Sequence, residues 1–255
     1  MSARIPLVVA AETPLVTAHA HDVAGDVLVV SFAGIGLDDG TLQPPEFVAT
    51  ATANGMRPAL FVTDPARSWL NADGLIEEIA LLIQTWRSRV GAGRVVMLGN
   101  SMGGFMAMVM PRFIETAVAV GFSPQFSVDP EVVGDDPRWM QWRSRIEAFR
   151  VTDVARAWVP ETMYYAFHGA HPRERHQREP FPVQKNMRQF VLSRTVHNVA
   201  KKIRGRGLLD RVVEAAFEDR PKRVRLMMEE IGGYRRMAVP AEMTPAQGRL
   251  KEAMP

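Results

Sequence analysis

Short runs of apolar and β-branched residues alternate along the chain with longer stretches in which apolar residues recur every three or four positions. The short runs predict strands at residues 5–10, 26–32, 59–62, 94–98, 117–122, 163–167 and 188–192. The longer stretches predict helices at residues 73–90, 102–113, 198–217 and 221–231, with Asp73 as the N-cap of the first. This alternation is typical of an α/β fold, a mainly parallel twisted sheet with flanking helices, and the first strand is expected at an antiparallel edge.

One long connection interrupts this alternation. Residues 123–160 separate the fifth and sixth predicted strands and contain Trp139, Trp142 and Trp158. A connection of this length is usually functional or a small subdomain. The chain contains no long Gly/Ser-rich or Pro-rich linker. We therefore predict a single domain over residues 1–233, with a cap-like insertion at 123–160 and a C-terminal tail at 234–255.

The composition, 47% hydrophobic and 23% charged, is that of a soluble globular protein. There is no cysteine, which excludes disulfides, a thiolate nucleophile and a Cys-ligated zinc. The N-terminal apolar run is interrupted at residues 12–14 and does not resemble a signal peptide. No run approaches the roughly 18 apolar residues that span a bilayer, so we expect a cytoplasmic protein without a membrane span.

Positive charge is concentrated late in the chain. Residues 200–236 hold eleven Lys or Arg and six Asp or Glu, in a chain of net charge +3. Such a stretch could bind phosphate, an anionic polymer or a membrane surface, but its mixture of positive and negative charges favours a solvated helical surface. Nucleic-acid binding is not expected, because the basic positions lack interleaved aromatic residues and a recognised motif.

Two further chemistries are not favoured by the sequence. The turn at residues 34–36 lacks the third glycine of a dinucleotide-binding loop, and no P-loop is present, so no cofactor is expected. His168, His171 and His176 lie close together in sequence. They lack companion carboxylates at convincing ligand spacing, so we predict a polar loop and no metal site.

The turn Gly99-Asn100-Ser101-Met102-Gly103 carries the clearest chemical pattern. It directly follows the predicted strand at 94–98 and opens the predicted helix at Met102. A sharp strand-to-helix turn raises a serine hydroxyl above the sheet, and glycine on either side allows backbones to approach closely. The helix N-terminus also favours developing negative charge.

Residues 95–105, Val-Val-Met-Leu-Gly-Asn-Ser-Met-Gly-Gly-Phe, resemble the nucleophile elbow of the α/β-hydrolase superfamily. The order of predicted elements fits that fold over residues 26–217. The resemblance implies that Ser101 is the nucleophile and that the N–H of Met102 is one oxyanion donor. It places the second donor in the loop at 31–36, at Ile35 or within one residue of it, with Ala33 where the family has histidine.

The same resemblance implies the chain order serine, acid, histidine. His197 follows the last predicted parallel strand and is the expected base. The expected acid lies in the loop after the strand that ends at Phe167, where there is no aspartate and Glu174 is the candidate. Glu179 is the next alternative and Asp153 the third.

The segment at 121–130, together with 136–139, is similar to a bacterial subgroup of α/β-hydrolase-like proteins associated with polysaccharide modification. Trp139 and Trp142 would form an apolar or sugar-stacking wall for substrate over Ser101, or pack the cap onto the sheet, and packing is favoured. The expected function is hydrolysis of a small-molecule or glycan ester through an acyl-enzyme on Ser101. Acyl transfer to a glycan and a non-catalytic binding subunit are the alternatives; the last is motivated by the missing aspartate and by Ala33.

Overall fold

The computed structural model describes residues 4–36, 40–134 and 136–237. The strands of this part of the chain are β1 (Val8–Glu12), β2 (Thr17–His21), β3 (Val27–Phe32), β4 (Ala59–Thr63), β5 (Arg94–Asn100), β6 (Val118–Phe122), β7 (Met163–Gly169), β8 (Met187–Leu192) and β9 (Gly233–Arg235). Its α-helices are α1 (Val48–Ala51), α2 (Leu75–Val90), α3 (Met102–Val109), α4 (Pro130–Val133), α5 (Met140–Arg143), α6 (Arg175–Arg178), α7 (Val199–Gly205), α8 (Leu209–Phe217) and α9 (Pro221–Glu230). Short 3₁₀ turns lie at Met110–Arg112, Ala155–Ala157 and Pro172–Glu174.

These strands form one sheet in the order β1-β2-β4-β3-β5-β6-β7-β8-β9. Strands β3 to β8 are parallel, whereas β1, β2 and β9 pair antiparallel at the two edges. The predicted α/β class and the antiparallel edge position of the first strand are confirmed. Strands β2 and β9 were not predicted. Because β9 includes Tyr234, the sheet extends into the predicted tail, and residues 238–255 of that tail lie outside the described residues.

Helices cover both faces of the sheet. On β3, Leu28 and Val30 pack into the layer that contains α2 and α3, whereas Val29 packs into the layer that contains α7, α8 and α9. Successive strand residues point to opposite faces, so a strand buried on both faces has a continuous apolar sequence. This explains why the central strands were recognisable as uninterrupted apolar runs.

The structure corrects two predictions about the helices. The predicted helix at 198–217 is divided into α7 and α8 at Gly207, whose φ of 68° ends the first segment in the left-handed region. Asp73 does not cap α2: the N-cap is Gly74, without a side-chain hydrogen bond, and Asp73 pairs with Arg150 at 2.7 Å. The N-cap prediction was therefore wrong, because the exposed Asp73 carboxylate forms a salt bridge with Arg150 of the connection at 123–160.

The connection at 123–160 carries α4, α5 and one 3₁₀ turn. Its apolar residues Phe126, Val128, Val151 and Val154 are buried in the layer that contains α2 and α3. It begins directly after β6, at the carboxyl end of the parallel strands, where β5 also delivers Ser101. In the described part of the chain, no helix has the length and apolarity needed to cross a membrane.

Candidate active site

Ser101 occupies a strained turn between β5 and α3. Its φ of 57° and ψ of −121° are unusual for a residue with a side chain. The turn is possible because its neighbours are glycines: a Cβ on Gly99 would lie 2.1 Å from the carbonyl oxygen of Gly103, and a Cβ on Gly103 would lie 2.1 Å from that of Phe32. The N–H of Ser101 donates to the carbonyl oxygen of Phe122 at 2.9 Å. The backbone thus holds the hydroxyl at the carboxyl edge of the sheet.

The structure brings Ser101, His197 and Glu174 into one hydrogen-bonded chain. The Nε2 atom of His197 lies 2.8 Å from the Ser101 Oγ atom, and its Nδ1 atom lies 3.1 Å from the Glu174 Oε2 atom. An ionised carboxylate only accepts hydrogen bonds, so the imidazole proton belongs on Nδ1 and Nε2 accepts from the serine hydroxyl. This arrangement can activate a serine for nucleophilic attack.

His197 is held by the loop between β8 and α7. Its carbonyl oxygen accepts a hydrogen bond from the Ser123 hydroxyl at 2.7 Å, which ties the loop to the end of β6. The indole ring of Trp139 lies 5.9 Å from the imidazole, centroid to centroid. The His197 side chain is 33% exposed, so the imidazole is accessible from solvent although Ser101 itself is nearly buried.

Glu174 is buried and has a second partner, a cation that sequence reasoning missed. Arg138, from the connection at 123–160, donates to the Glu174 Oε1 atom at 3.0 Å and to Asp136 at 2.8 Å. Its guanidinium also lies over the Trp139 ring at 4.6 Å. Burial raises the pKa of Glu174, but the hydrogen bond from His197 and the charges of His197 and Arg138 outweigh it and leave that pKa below its usual value. The carboxylate is therefore ionised near neutral pH.

The alternative acids lie in other environments. Glu179 is about half exposed and pairs with Arg175 at 2.8 Å. Asp153 pairs with Arg156 and accepts a hydrogen bond from its backbone N–H at 3.0 Å. Glu174 is thus the carboxylate that contacts His197.

The histidines at 168, 171 and 176 do not assemble a metal centre; no cluster of metal-ligating side chains occurs within residues 4–36, 40–134 and 136–237. His168 is fully buried, and burial lowers its pKa to about 3, so that the ring is neutral. It lies 3.2 Å from both the Pro124 carbonyl oxygen and the Gln189 side-chain nitrogen. The neutral His168 ring therefore fills a buried position and bonds the two polar groups beside it.

Gln125 is a further residue at the site that the sequence did not reveal. Its side-chain nitrogen donates to the Ser101 Oγ atom at 2.9 Å, and its side-chain oxygen accepts from the Trp69 indole at 3.3 Å. Gln125 follows β6 within the irregular connection, where no periodic pattern points to it. The one available signal was its position a few residues beyond the strand next to β5.

The loop that follows β3 carries the predicted second oxyanion donor. Ile35 is partly buried, and its carbonyl oxygen accepts from the Arg67 guanidinium at 2.8 Å. The neighbouring N–H of Gly34 is bonded to the Glu46 carboxylate, whose pKa burial raises to about 7 despite that bond. The N–H of Met102 lies in the first turn of α3, where backbone donors have no intrahelical acceptor. Both predicted donors thus lie on loops or turns adjoining Ser101.

The two tryptophans of the predicted substrate wall have different surroundings. Trp139 is partly exposed and contacts both His197 and Trp69, with a ring-centroid distance of 6.5 Å to the latter. Trp142 is buried in the core layer on the α3 side, with the Arg67 guanidinium 5.8 Å from its ring centroid. The indole of Trp139 is therefore the one that lies beside His197.

Comparisons with known proteins identify the fold. No family model matches the chain, and no curated protein matches it in sequence. A capsule O-acetyltransferase of Neisseria meningitidis serogroup A is similar in structure, with a TM-score of 0.56, 11% identity, and coverage of 80% of this chain and 92% of that one. An esterase from Pyrococcus furiosus has a TM-score of 0.52, 11% identity, and coverage of 80% and 86%. The chain therefore has the α/β-hydrolase fold.

A third solved structure, the glycosylation-associated Gap123 complex from Streptococcus agalactiae, has a TM-score of 0.54 and 11% identity. The match covers 76% of this chain and 43% of that one. All three are likenesses in fold.

Proposed function

We propose that the protein is a serine hydrolase that cleaves an ester through an acyl-enzyme on Ser101. The observation that carries this proposal is the continuous hydrogen-bonded chain from the Ser101 Oγ atom through His197 to Glu174. It lies on a nucleophile elbow at the carboxyl edge of a parallel sheet. The combination of nucleophile, base and orienting acid within hydrogen-bond distance is what acyl transfer requires.

In this mechanism His197 takes the Ser101 proton as the Oγ atom attacks the ester carbonyl, and it then gives that proton to the leaving alcohol. Glu174 keeps the other imidazole proton on Nδ1 and stabilises the imidazolium. The backbone N–H groups of Met102 and Ile35 are the proposed donors to the tetrahedral oxyanion. Water then attacks the acyl-enzyme by the same proton route in reverse.

A second candidate function is transfer of the acyl group to a sugar hydroxyl. It uses the same three residues, with a glycan hydroxyl in place of water. Two observations favour it: the partly exposed indole of Trp139 beside His197 offers a surface on which a sugar ring can stack, and a capsule O-acetyltransferase is similar in fold. A non-catalytic binding subunit is disfavoured, because the 2.8 Å contact between Ser101 and His197 is already at hydrogen-bonding distance.

The test is turnover of p-nitrophenyl acetate and butyrate by the wild type, Ser101→Ala and His197→Ala. We expect both variants to lose at least about 10³-fold in kcat. His176→Ala is the matched control, since His176 is exposed, and it should keep wild-type activity. Adding a sugar acceptor separates the two candidates: an acylated sugar formed faster than free acid would favour transfer. Turnover that survives Ser101→Ala would refute both.

A further inference from the structure

Gln125 is fully buried beside the nucleophile, two residues beyond Ser123, which anchors His197. Both ends of its side-chain amide are engaged. The nitrogen lies 2.9 Å from the Ser101 Oγ atom, and the oxygen lies 3.3 Å from the indole nitrogen of Trp69. Trp69 is itself fully buried.

The Trp69 indole determines which way the Gln125 amide faces. An indole N–H can only donate a hydrogen bond, so the group that meets it must be the amide oxygen. The amide NH₂ group is then directed at the Ser101 Oγ atom. The orientation of the amide therefore follows from the chemistry of its partner.

The Ser101 Oγ atom is left with one free direction. It donates its proton to His197 and accepts one hydrogen bond from Gln125. A hydroxyl oxygen has two lone pairs, so one lone pair remains for attack on a carbonyl carbon. The bond from Gln125 can therefore persist throughout the reaction.

We propose that Gln125 is a catalytic hydrogen-bond donor to the nucleophile oxygen, distinct from the backbone donors to the substrate oxyanion. The inference rests on the proposed acyl-enzyme mechanism. Gln125 stabilises negative charge on the Ser101 Oγ atom itself. Trp69 is a positioning residue, because it acts only by holding the amide.

The bond matters most in deacylation. A water molecule gives a proton to His197, and the water oxygen bonds to the acyl carbon. The bond between the acyl carbon and the Ser101 Oγ atom then breaks, and the electron pair of that bond stays on Oγ. That oxygen recovers a proton from His197. In the acyl-enzyme the Oγ atom is an ester oxygen and a poor acceptor, so the bond from Gln125 strengthens as Oγ leaves and becomes charged. In acylation the neutral hydroxyl already accepts this bond, so the gain is smaller.

The test is stopped-flow kinetics of p-nitrophenyl acetate with Gln125→Met, which keeps the length of the side chain but removes the donor. We expect deacylation to slow by about 10- to 100-fold, the range for a hydrogen bond to a charged group, and acylation by less than about threefold. The variant should show a burst of p-nitrophenol of about one equivalent. Intact mass should show an acetyl adduct that is absent from Ser101→Ala.

Two further variants separate catalysis from packing. Trp69→Phe removes the indole donor and frees the amide to rotate, and we expect a smaller loss, about three- to tenfold, again in deacylation. It also tests the proposal if Gln125→Met does not fold. Ser127→Ala is the matched control: Ser127 is a buried residue of the same connection and hydrogen-bonds Thr152. Its loss should lower the melting temperature without changing the ratio of the two rates.

Equal slowing of acylation and deacylation in Gln125→Met, or a deacylation rate within about threefold of the wild type, would overturn the proposal while leaving the serine hydrolase intact. A wild-type protein that neither turns over p-nitrophenyl acetate nor becomes acylated would instead overturn the proposed function, and this inference with it. The burst experiment therefore distinguishes the two failures.

Discussion

Replacing Glu174 with glutamine should disable the triad through the tautomer of His197. The Oε1 atom of Glu174 accepts from Arg138 at 3.0 Å, and Oε2 faces His197. Because a guanidinium can only donate, the oxygen of the new amide must stay with Arg138 and its NH₂ group must face the Nδ1 atom. The Nδ1 atom can then only accept a hydrogen bond, so the imidazole proton moves to Nε2, where it faces the Ser101 hydroxyl. His197 no longer has a lone pair with which to take the serine proton.

The size of the effect follows from the same reasoning. In serine protease triads, a carboxylate-to-amide change that imposes the wrong tautomer costs about 10⁴-fold in kcat, which corresponds to about 5.5 kcal/mol of transition-state stabilisation. We expect a loss of about 10³- to 10⁴-fold for Glu174→Gln in p-nitrophenyl acetate turnover. Glu179→Gln is the matched control, since Glu179 is exposed and pairs with Arg175, and it should retain activity.

A double variant tests whether Arg138 sets the orientation of the new amide. In the double variant Arg138→Met with Glu174→Gln, nothing holds the amide oxygen away from His197, so the amide can turn and accept from Nδ1. We expect the double variant to be about tenfold more active than Glu174→Gln alone, with folding checked by thermal melting because Asp136 loses a partner. Full activity in Glu174→Gln would refute the assignment of the acid. A double variant no more active than the single one would refute the role of Arg138.

Three further predictions concern the frame of the site. Gly99→Ala should abolish soluble folded protein, as judged by circular dichroism, because its Cβ would lie 2.1 Å from the Gly103 carbonyl oxygen. Arg67→Lys should lower kcat about tenfold, since the single ammonium group of lysine cannot replace the separate guanidinium bonds to the carbonyl oxygens of Ile35, Pro65 and Thr41; an unchanged kcat would contradict this. Burial raises the pKa of Glu46 to about 7 in the folded state, so protonation of Glu46 stabilises the folded state. Unfolding free energy should therefore fall as pH rises from about 4.5 to 7. Glu46→Gln should remove this fall, which amounts to at most about 3 kcal/mol.

Local features made the centre of the fold predictable from sequence. The parallel strands are buried on both faces and so form continuous apolar runs. The elbow at Ser101 depends on two nearby glycines that are visible in the sequence. His197 and Glu174 were candidates because chain order in the resembling superfamily restricts the base and the acid to two short loops, and the structure brings both side chains together with Ser101.

The remaining features depend on tertiary contacts that carry no periodic pattern. Strand β2, Thr-Ala-His-Ala-His, is short and alternates small residues with histidine, so its pairing partner β4 determines its conformation. Gln125 and Arg138 lie in the irregular connection at 123–160, where only the folded chain shows which side chains turn towards Ser101 and Glu174. Asp73 is a residue type that commonly caps helices, but in the structure its carboxylate pairs with Arg150.

The central claim is that Ser101 is an activated nucleophile, and covalent labelling with a tagged fluorophosphonate tests it most directly. Intact mass followed by peptide mapping identifies the modified residue. We expect one label per chain, on Ser101, absent from Ser101→Ala and strongly reduced in His197→Ala. A folded wild-type protein that takes up no label, or takes it up on another residue, would contradict the account.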